Sequence, residues 1–79
     1  MHVYLIRSKR YPEQTYIGVT ANVEARILAH NKGQSSHTSK YVPWFLVTTI
    51  YFSDANKAIQ FERYLKQGSG YAFAKKHLW

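Results

Sequence analysis

Tyr16-Ile17-Gly18-Val19-Thr20-Ala21-Asn22-Val23-Glu24-Ala25-Arg26-Ile27-Leu28-Ala29-His30 contains a change of period that decides the fold. Thr15 to Thr20 alternates, with Ile17 and Val19 opposite Tyr16 and Gly18, as a strand does. Thr20 or Asn22 then offers a helix N-cap. From Val23 the period lengthens, and Val23, Arg26, Ile27 and His30 share one helical face. The helix is expected to end near His30, with Asn31-Lys32-Gly33 as its stop.

Working outward, His2 to Arg7 also alternates, with Val3 and Leu5 opposite Tyr4 and Ile6. Ser8 to Gln14 reads as the hairpin connection of an antiparallel pair. Gln34 to Lys40 is polar and serine-rich, a loop. Pro43 marks the entry to a third strand, Trp44 to Phe52. Ser53-Asp54 caps a second helix, expected to end near Gln67 before Gly68-Ser69-Gly70. A last helix spans Tyr71 to Leu78. The order is strand, strand, helix, strand, helix, helix, and no repeat or linker interrupts it.

The 79 residues suffice for one domain, and without cysteine neither disulfides nor thiolate metal sites can staple it. Apolar packing has to hold the fold. The longest apolar stretch, Trp44 to Phe52, falls far short of the roughly 20 residues of a membrane-spanning helix. No secretory signal is visible, so a soluble cytoplasmic protein with no membrane partner is the expectation. Eleven basic residues against four acidic ones leave a net charge of +7. That field favours a polyanion, nucleic acid above all.

Glu62 is the residue most out of place. On the second helix Ala55, Ala58, Ile59, Phe61 and Leu65 fall on one arc, and Glu62 projects into its middle. A carboxylate there needs a partner. It is either a structural ion pair with Arg26 or a ligand for Mg²⁺, a cation that takes one or two carboxylates plus water and phosphate. On the first helix Arg26 and His30 are one turn apart and therefore neighbours. Arg26 can hold a phosphate bidentately, and His30 can move a proton or orient a tyrosine hydroxyl. Tyr4 and Tyr16 can share a face of the hairpin with Gly18, whose missing side chain leaves room beside them.

Taken together, these residues resemble the GIY-YIG nuclease family over essentially the whole chain. Val3-Tyr4-Leu5 stands at the first family tripeptide, with its tyrosine kept. Tyr16-Ile17-Gly18 matches the second in full. Arg26, His30 and Glu62 match the family's arginine, its histidine-or-tyrosine and its metal-binding glutamate. The run from Tyr16 to Gly33 looks most like small stand-alone bacterial members, similar to the N-terminal nuclease domain of the excision-repair incision subunit. The resemblance implies an α+β domain, a three-stranded, mainly antiparallel sheet flanked by helices, with the site on one sheet face. It implies hydrolysis of DNA with Mg²⁺ or Mn²⁺ held by Glu62. Tyr4 would activate or position water, with Tyr16 in support. Arg26 would bind the scissile phosphate, and His30 would accept or relay a proton. Many family members carry an asparagine about a dozen residues after the glutamate; Ala74 stands there, and Tyr71, Lys75 or His77 are the candidate substitutes.

Arg7, Lys9, Arg10, Lys32, Lys40, Lys66, Lys75 and Lys76 flank this site in sequence and are candidates for tracking a phosphate backbone. Ser35, Ser36 and His37 add donors in the polar loop. No recognition helix or zinc finger is visible, so structure-selective or weakly sequence-selective binding is expected, with DNA ahead of RNA. The rival expectation is a non-catalytic or partner-dependent nucleic-acid-binding module, with a protein partner supplying specificity.

Overall fold

A computed structural model describes residues 1–79. Strands β1 (His2–Ser8), β2 (Thr15–Thr20) and β3 (Trp44–Tyr51) form one antiparallel sheet in the order β2-β1-β3. Helix α1 (Val23–Asn31) follows β2, a single 3₁₀ turn (Ser39–Tyr41) precedes β3, and α2 (Ala55–Leu65) and α3 (Gly68–His77) end the chain. The α+β order is the expected one.

Local chemistry explains the element boundaries. The Ser8 hydroxyl accepts from Tyr11 N at 3.0 Å, and Ser8 N donates to the Gln14 carbonyl at 3.0 Å, which closes the first hairpin. Of the two candidate caps for α1, Asn22 takes the role, its side chain accepting from Ala25 N at 3.1 Å. Asp54 caps α2 by accepting from Asn56 N and Lys57 N. Each satisfies amides that a helix start would otherwise leave unpaired.

β1 is the central strand, and its alternation divides the core. Val3 and Leu5, fully buried, pack with Ile17 on Ala58 and Leu65 of α2 and Ala74 of α3. Tyr4 and Ile6 point the other way and pack with Trp44, Tyr16, Val23 and Ile27 of α1. One sheet face therefore carries α1, and the opposite face carries α2 and α3. A register shift between Leu5 and Ile6 against β3 is the only irregularity in the two ladders.

The second half departs from expectation in detail. β3 ends at Tyr51, although Phe52 N still bonds Met1 O at 2.8 Å. α2 stops at Leu65, and the Gly68-Ser69-Gly70 run, expected to be a break, is the first turn of α3. The reason is steric. Gly68 turns the chain at φ 58°, and a Cβ on Gly70 would run into the Tyr64 carbonyl. These glycines bring α3 against α2 rather than ending a helix. Ala55 and Ile59, expected on the apolar arc of α2, are exposed; the buried stripe is narrower, Ala58 and Leu65 with Phe61 partly covered.

The end of α1 is tied to the start of β3. Asn31 Nδ2 donates to the Trp44 carbonyl at 3.1 Å, and Trp44 N donates to Asn31 Oδ1 at 2.6 Å. The side-chain amide thus pairs with the backbone as another strand residue would. Asn31→Ala removes both bonds and leaves the Trp44 amide and carbonyl unpaired. Thermal melting should show a loss of about 1–3 kcal/mol; an unchanged melting temperature would show that water replaces the amide without cost.

Candidate active site

The α1 face of the sheet gathers four of the five residues singled out from the sequence. Tyr4 lies opposite Gly18 across the β1–β2 ladder. Its ring crosses the space a side chain there would need: a Cβ on Gly18 would sit 2.5 Å from the Tyr4 hydroxyl. Gly18 thus makes the slot in which the phenol lies flat. Tyr16, two residues earlier on the same face, places its ring 6.2 Å from that of Tyr4 and 5.1 Å from that of His30.

α1 supplies the polar partners. Arg26 Nε donates to the Tyr4 hydroxyl at 3.3 Å, and His30 Nε2 lies 2.9 Å from the same oxygen. Tyr4 is 1% exposed and His30 is fully buried, whereas Arg26 is partly exposed. One guanidinium donor is committed to Tyr4, and the others remain for a phosphate.

Burial shapes the acid–base behaviour. Desolvation raises the Tyr4 pKa above the usual 10, opposed by the hydrogen bond from Arg26; the charges of Tyr16 and Glu62 push it further up. Burial, and then the charge of Arg26, lowers the pKa of His30. The resting pair is a neutral phenol beside a neutral imidazole. The hydrogen bond to Tyr4 holds the Arg26 guanidinium more firmly protonated.

Glu62 comes from the opposite layer. It does not pair with Arg26, the structural alternative raised by the sequence; its ion pair is with Lys66, one turn along α2. An i,i+4 partner is a neighbour by helix geometry alone. Lys66 Nζ also stands 5.9 Å from the centre of the Tyr16 ring, so α2 delivers both residues to the β2 edge. No group of three or more His, Asp or Glu side chains gathers anywhere. One carboxylate nevertheless suits Mg²⁺, which draws its remaining ligands from water and phosphate. Its side chain is 16% exposed, and that of Lys66 is 48% exposed. Such a pair is worth only about 0.3–0.5 kcal/mol, too little to deny the carboxylate to a divalent cation.

The basic and polar candidates divide into two regions. Ser36, His37 and Lys40 line a groove of about 370 Å³ with Gln14 and Tyr41, and the His37 ring lies 6.0 Å from Tyr16. Arg10 stacks on Tyr11, which meets Tyr41 edge-on. Lys9, Lys32 and Lys76 are exposed, Lys32 at the end of α1, and Ser35 is partly covered at the head of the loop. Arg7 and Lys75 lie on the other sheet face, in a second groove with Glu13, Tyr71 and Trp79, where the Arg7 guanidinium sits over the Trp79 ring. Ala74 is fully buried in the core under β1. Tyr71 and Lys75 line that second groove, and the His77 ring lies tilted 4.9 Å from that of Phe73; these substitutes for the missing asparagine are not gathered around Tyr4.

Thr38, expected from the sequence only as one of the phosphate donors of the polar loop, is instead a buried partner of His30. It is 1% exposed, with Oγ1 2.7 Å from His30 Nδ1, and its carbonyl accepts from Trp44 Nε1 at 2.9 Å. In a stretch of serines and threonines no periodicity distinguishes it from its solvated neighbours.

The lowered His30 pKa has a consequence for stability. Below about pH 6.5, the ordinary histidine value, the unfolded chain binds a proton that the folded chain refuses, so stability falls as pH drops. Melting temperatures should decline from pH 7 to 5, and His30→Gln should flatten that slope. An equal slope in both proteins would remove His30 as its source.

Residues 1–75 match the family model described as the GIY-YIG catalytic domain. A structure-specific endonuclease subunit SLX1 of Debaryomyces hansenii is 38% identical over 71 residues, which covers 81% of this chain and 20% of the relative. The SLX1 homolog of Drosophila persimilis is 38% identical over 69 residues, 76% of this chain and 24% of the relative. The chain therefore spans about a fifth to a quarter of the length of these relatives. A UPF0213 protein of Staphylococcus haemolyticus is 36% identical over 66 residues, covering 82% of this chain and 78% of its own length. No solved structure matches. With its family model matched from end to near end and its tyrosines, arginine and histidine converging on one sheet face, the chain belongs to the GIY-YIG catalytic-domain family.

Proposed function

We propose that this domain is a divalent-metal-dependent endonuclease that hydrolyses DNA phosphodiesters, with selectivity for substrate shape rather than sequence. The observation that carries this reading is the Tyr4 hydroxyl, buried between a fixed cation, Arg26 Nε, and a neutral base, His30 Nε2. A phenol in water is a poor base, because little phenolate exists at neutral pH. Here His30 can take the Tyr4 proton while Arg26 stabilises the oxygen left behind. The Tyr4 oxygen then takes a proton from the attacking water. The water oxygen bonds to phosphorus, the bond to the leaving sugar oxygen breaks, and the solvent protonates that oxygen. Tyr4 then releases its proton to solvent as it takes back the one held by His30, which restores the neutral pair.

The free guanidinium donors of Arg26 hold the scissile phosphate. Glu62 is the residue to hold Mg²⁺ or Mn²⁺, which when bound would polarise the phosphoryl group and stabilise the leaving oxygen. Binding the cation would release Lys66 from Glu62 and leave it free for a phosphate. The groove of Ser36, His37 and Lys40 next to Tyr16 offers a path for the strand, with further contacts from Arg10 and Lys32. A +7 charge without a base-reading element supports backbone binding. Selectivity for substrate shape is supported by the likeness to the SLX1 relatives, which are described as structure-specific endonuclease subunits.

A second reading is a nuclease subunit that depends on a partner for specificity or activity. It is favoured by Ala74, buried where many family members place an asparagine, and by the likeness to proteins described as subunits. Nicking of duplex, single-stranded and branched DNA with Mg²⁺, Mn²⁺ or chelator separates the two. Metal-dependent cleavage by the chain alone supports the first. Tight DNA binding with no cleavage under any of these conditions supports the second.

Three variants test the roles. Glu62→Gln should abolish metal-dependent cleavage in a folded protein that still binds DNA; cleavage retained at saturating Mg²⁺ would remove the metal assignment. Tyr4→Phe deletes one oxygen and should lower turnover by about 10²-fold or more, with stability changed by about 1 kcal/mol. Arg26→Lys loses the planar fork and should reduce turnover more than binding. DNA affinity should fall with salt at a log–log slope of about −0.9 per phosphate contacted; a flat response would point to recognition of another kind.

A further inference from the structure

The buried chain of polar atoms running from Arg26 through Tyr4 and His30 to Thr38 has just enough acceptors for its protons, and that sets its direction. Arg26 Nε can only donate, so the Tyr4 oxygen accepts from it. The proton of the Tyr4 hydroxyl must then go elsewhere. Tyr4 is 1% exposed, and the other group on its hydroxyl is His30 Nε2, at 2.9 Å. If Nε2 carried hydrogen, the phenol proton would be buried without an acceptor, an arrangement that native structures avoid. Nε2 is therefore bare. Burial keeps the ring neutral, so its one proton sits on Nδ1 and is donated to Thr38 Oγ1 at 2.7 Å. The Thr38 hydroxyl proton faces the Ser35 carbonyl at 3.5 Å. Every donor in the chain then has an acceptor.

Thr38 is held for this position. Its carbonyl accepts from Trp44 Nε1, its amide donates to Ser35 O at 3.2 Å, and the residue is 1% exposed. It cannot present its hydroxyl to a phosphate at the surface, as the serine-rich sequence around it suggests.

We propose that Thr38 is a positioning residue: its Oγ1 holds the buried His30 ring in the Nδ1–H tautomer, so that the unprotonated Nε2 faces the Tyr4 hydroxyl. The effect on cleavage rests on the nuclease reading above, whereas the effect on the ring does not. With the opposite tautomer His30 would offer Tyr4 a proton rather than take one, and the base would be lost although every residue stayed in place.

The test combines nitrogen NMR of the imidazole with nicking kinetics. In the wild type near neutral pH, the His30 signals should show Nδ1 protonated and Nε2 bare. Thr38→Val keeps the shape and deletes the acceptor. It should lose the Nδ1–H form and lower kcat by about 10²-fold, with KM little changed. Thr38→Ser retains the acceptor and should restore both tautomer and rate to within about threefold of wild type. An Nε2-protonated ring in the wild type, or an unchanged Nδ1–H form in Thr38→Val, overturns the proposal. So does a loss of rate in Thr38→Ser equal to that in Thr38→Val. If Thr38→Val fails to fold, the wild-type spectrum and the serine variant still decide. If the wild type alone cleaves no DNA, the reading as a self-sufficient nuclease fails, and the tautomer alone decides the role of Thr38.

Discussion

A tyrosine hydroxyl held away from water, between a guanidinium and an imidazole, is the constraint around which this small protein is arranged. Tyr4 belongs to the central strand, where every side chain on that face must be covered. Gly18 gives the ring its slot, and α1 covers it with Arg26 and His30 on the same stripe as Val23 and Ile27. Core packing and candidate chemistry therefore share one layer. A 79-residue chain has too little interior to keep them apart.

The opposite face shows what is left when that layer is set aside. Val3, Leu5, Ile17, Ala58, Leu65 and Ala74 form an aliphatic cluster. Two small residues, Ala58 and Ala74, let the helices approach β1 closely, and Gly70 allows α3 to meet the backbone of α2. Glu62 sits where this apolar layer meets the β2 edge, so its carboxylate is only partly desolvated and needs no more than Lys66 as a neutralising neighbour.

Much of this is legible in the sequence, for definite reasons. A period of two separates Tyr4 and Ile6 from Val3 and Leu5 without reference to any other part of the chain. A spacing of four puts Arg26 beside His30. Such local regularities survive folding because backbone geometry enforces them. What depends on distant partners is not legible. The Glu62 arc shows that a carboxylate approaches the interior, but not whether Arg26 or Lys66 meets it. Gly68-Ser69-Gly70 reads as a helix break because propensity disfavours glycine, and only the closeness of Tyr64 reverses that. Thr38 has no local signature; its importance is created by the fold of the loop that returns it to His30.

That loop has a mechanical property of its own. It is clasped at its base by the two bonds between Asn31 and Trp44, and in its middle by the contacts of Thr38 with His30 and with the Trp44 indole. Trp44 takes part in both clasps, through its backbone and through its ring. The segment from Lys32 to Pro43 is thus ill suited to fraying residue by residue: loosening either clasp shifts the residue that makes the other. It should open and close as one cooperative unit, whose opening free energy is set by a single tryptophan rather than by the many polar side chains along its length.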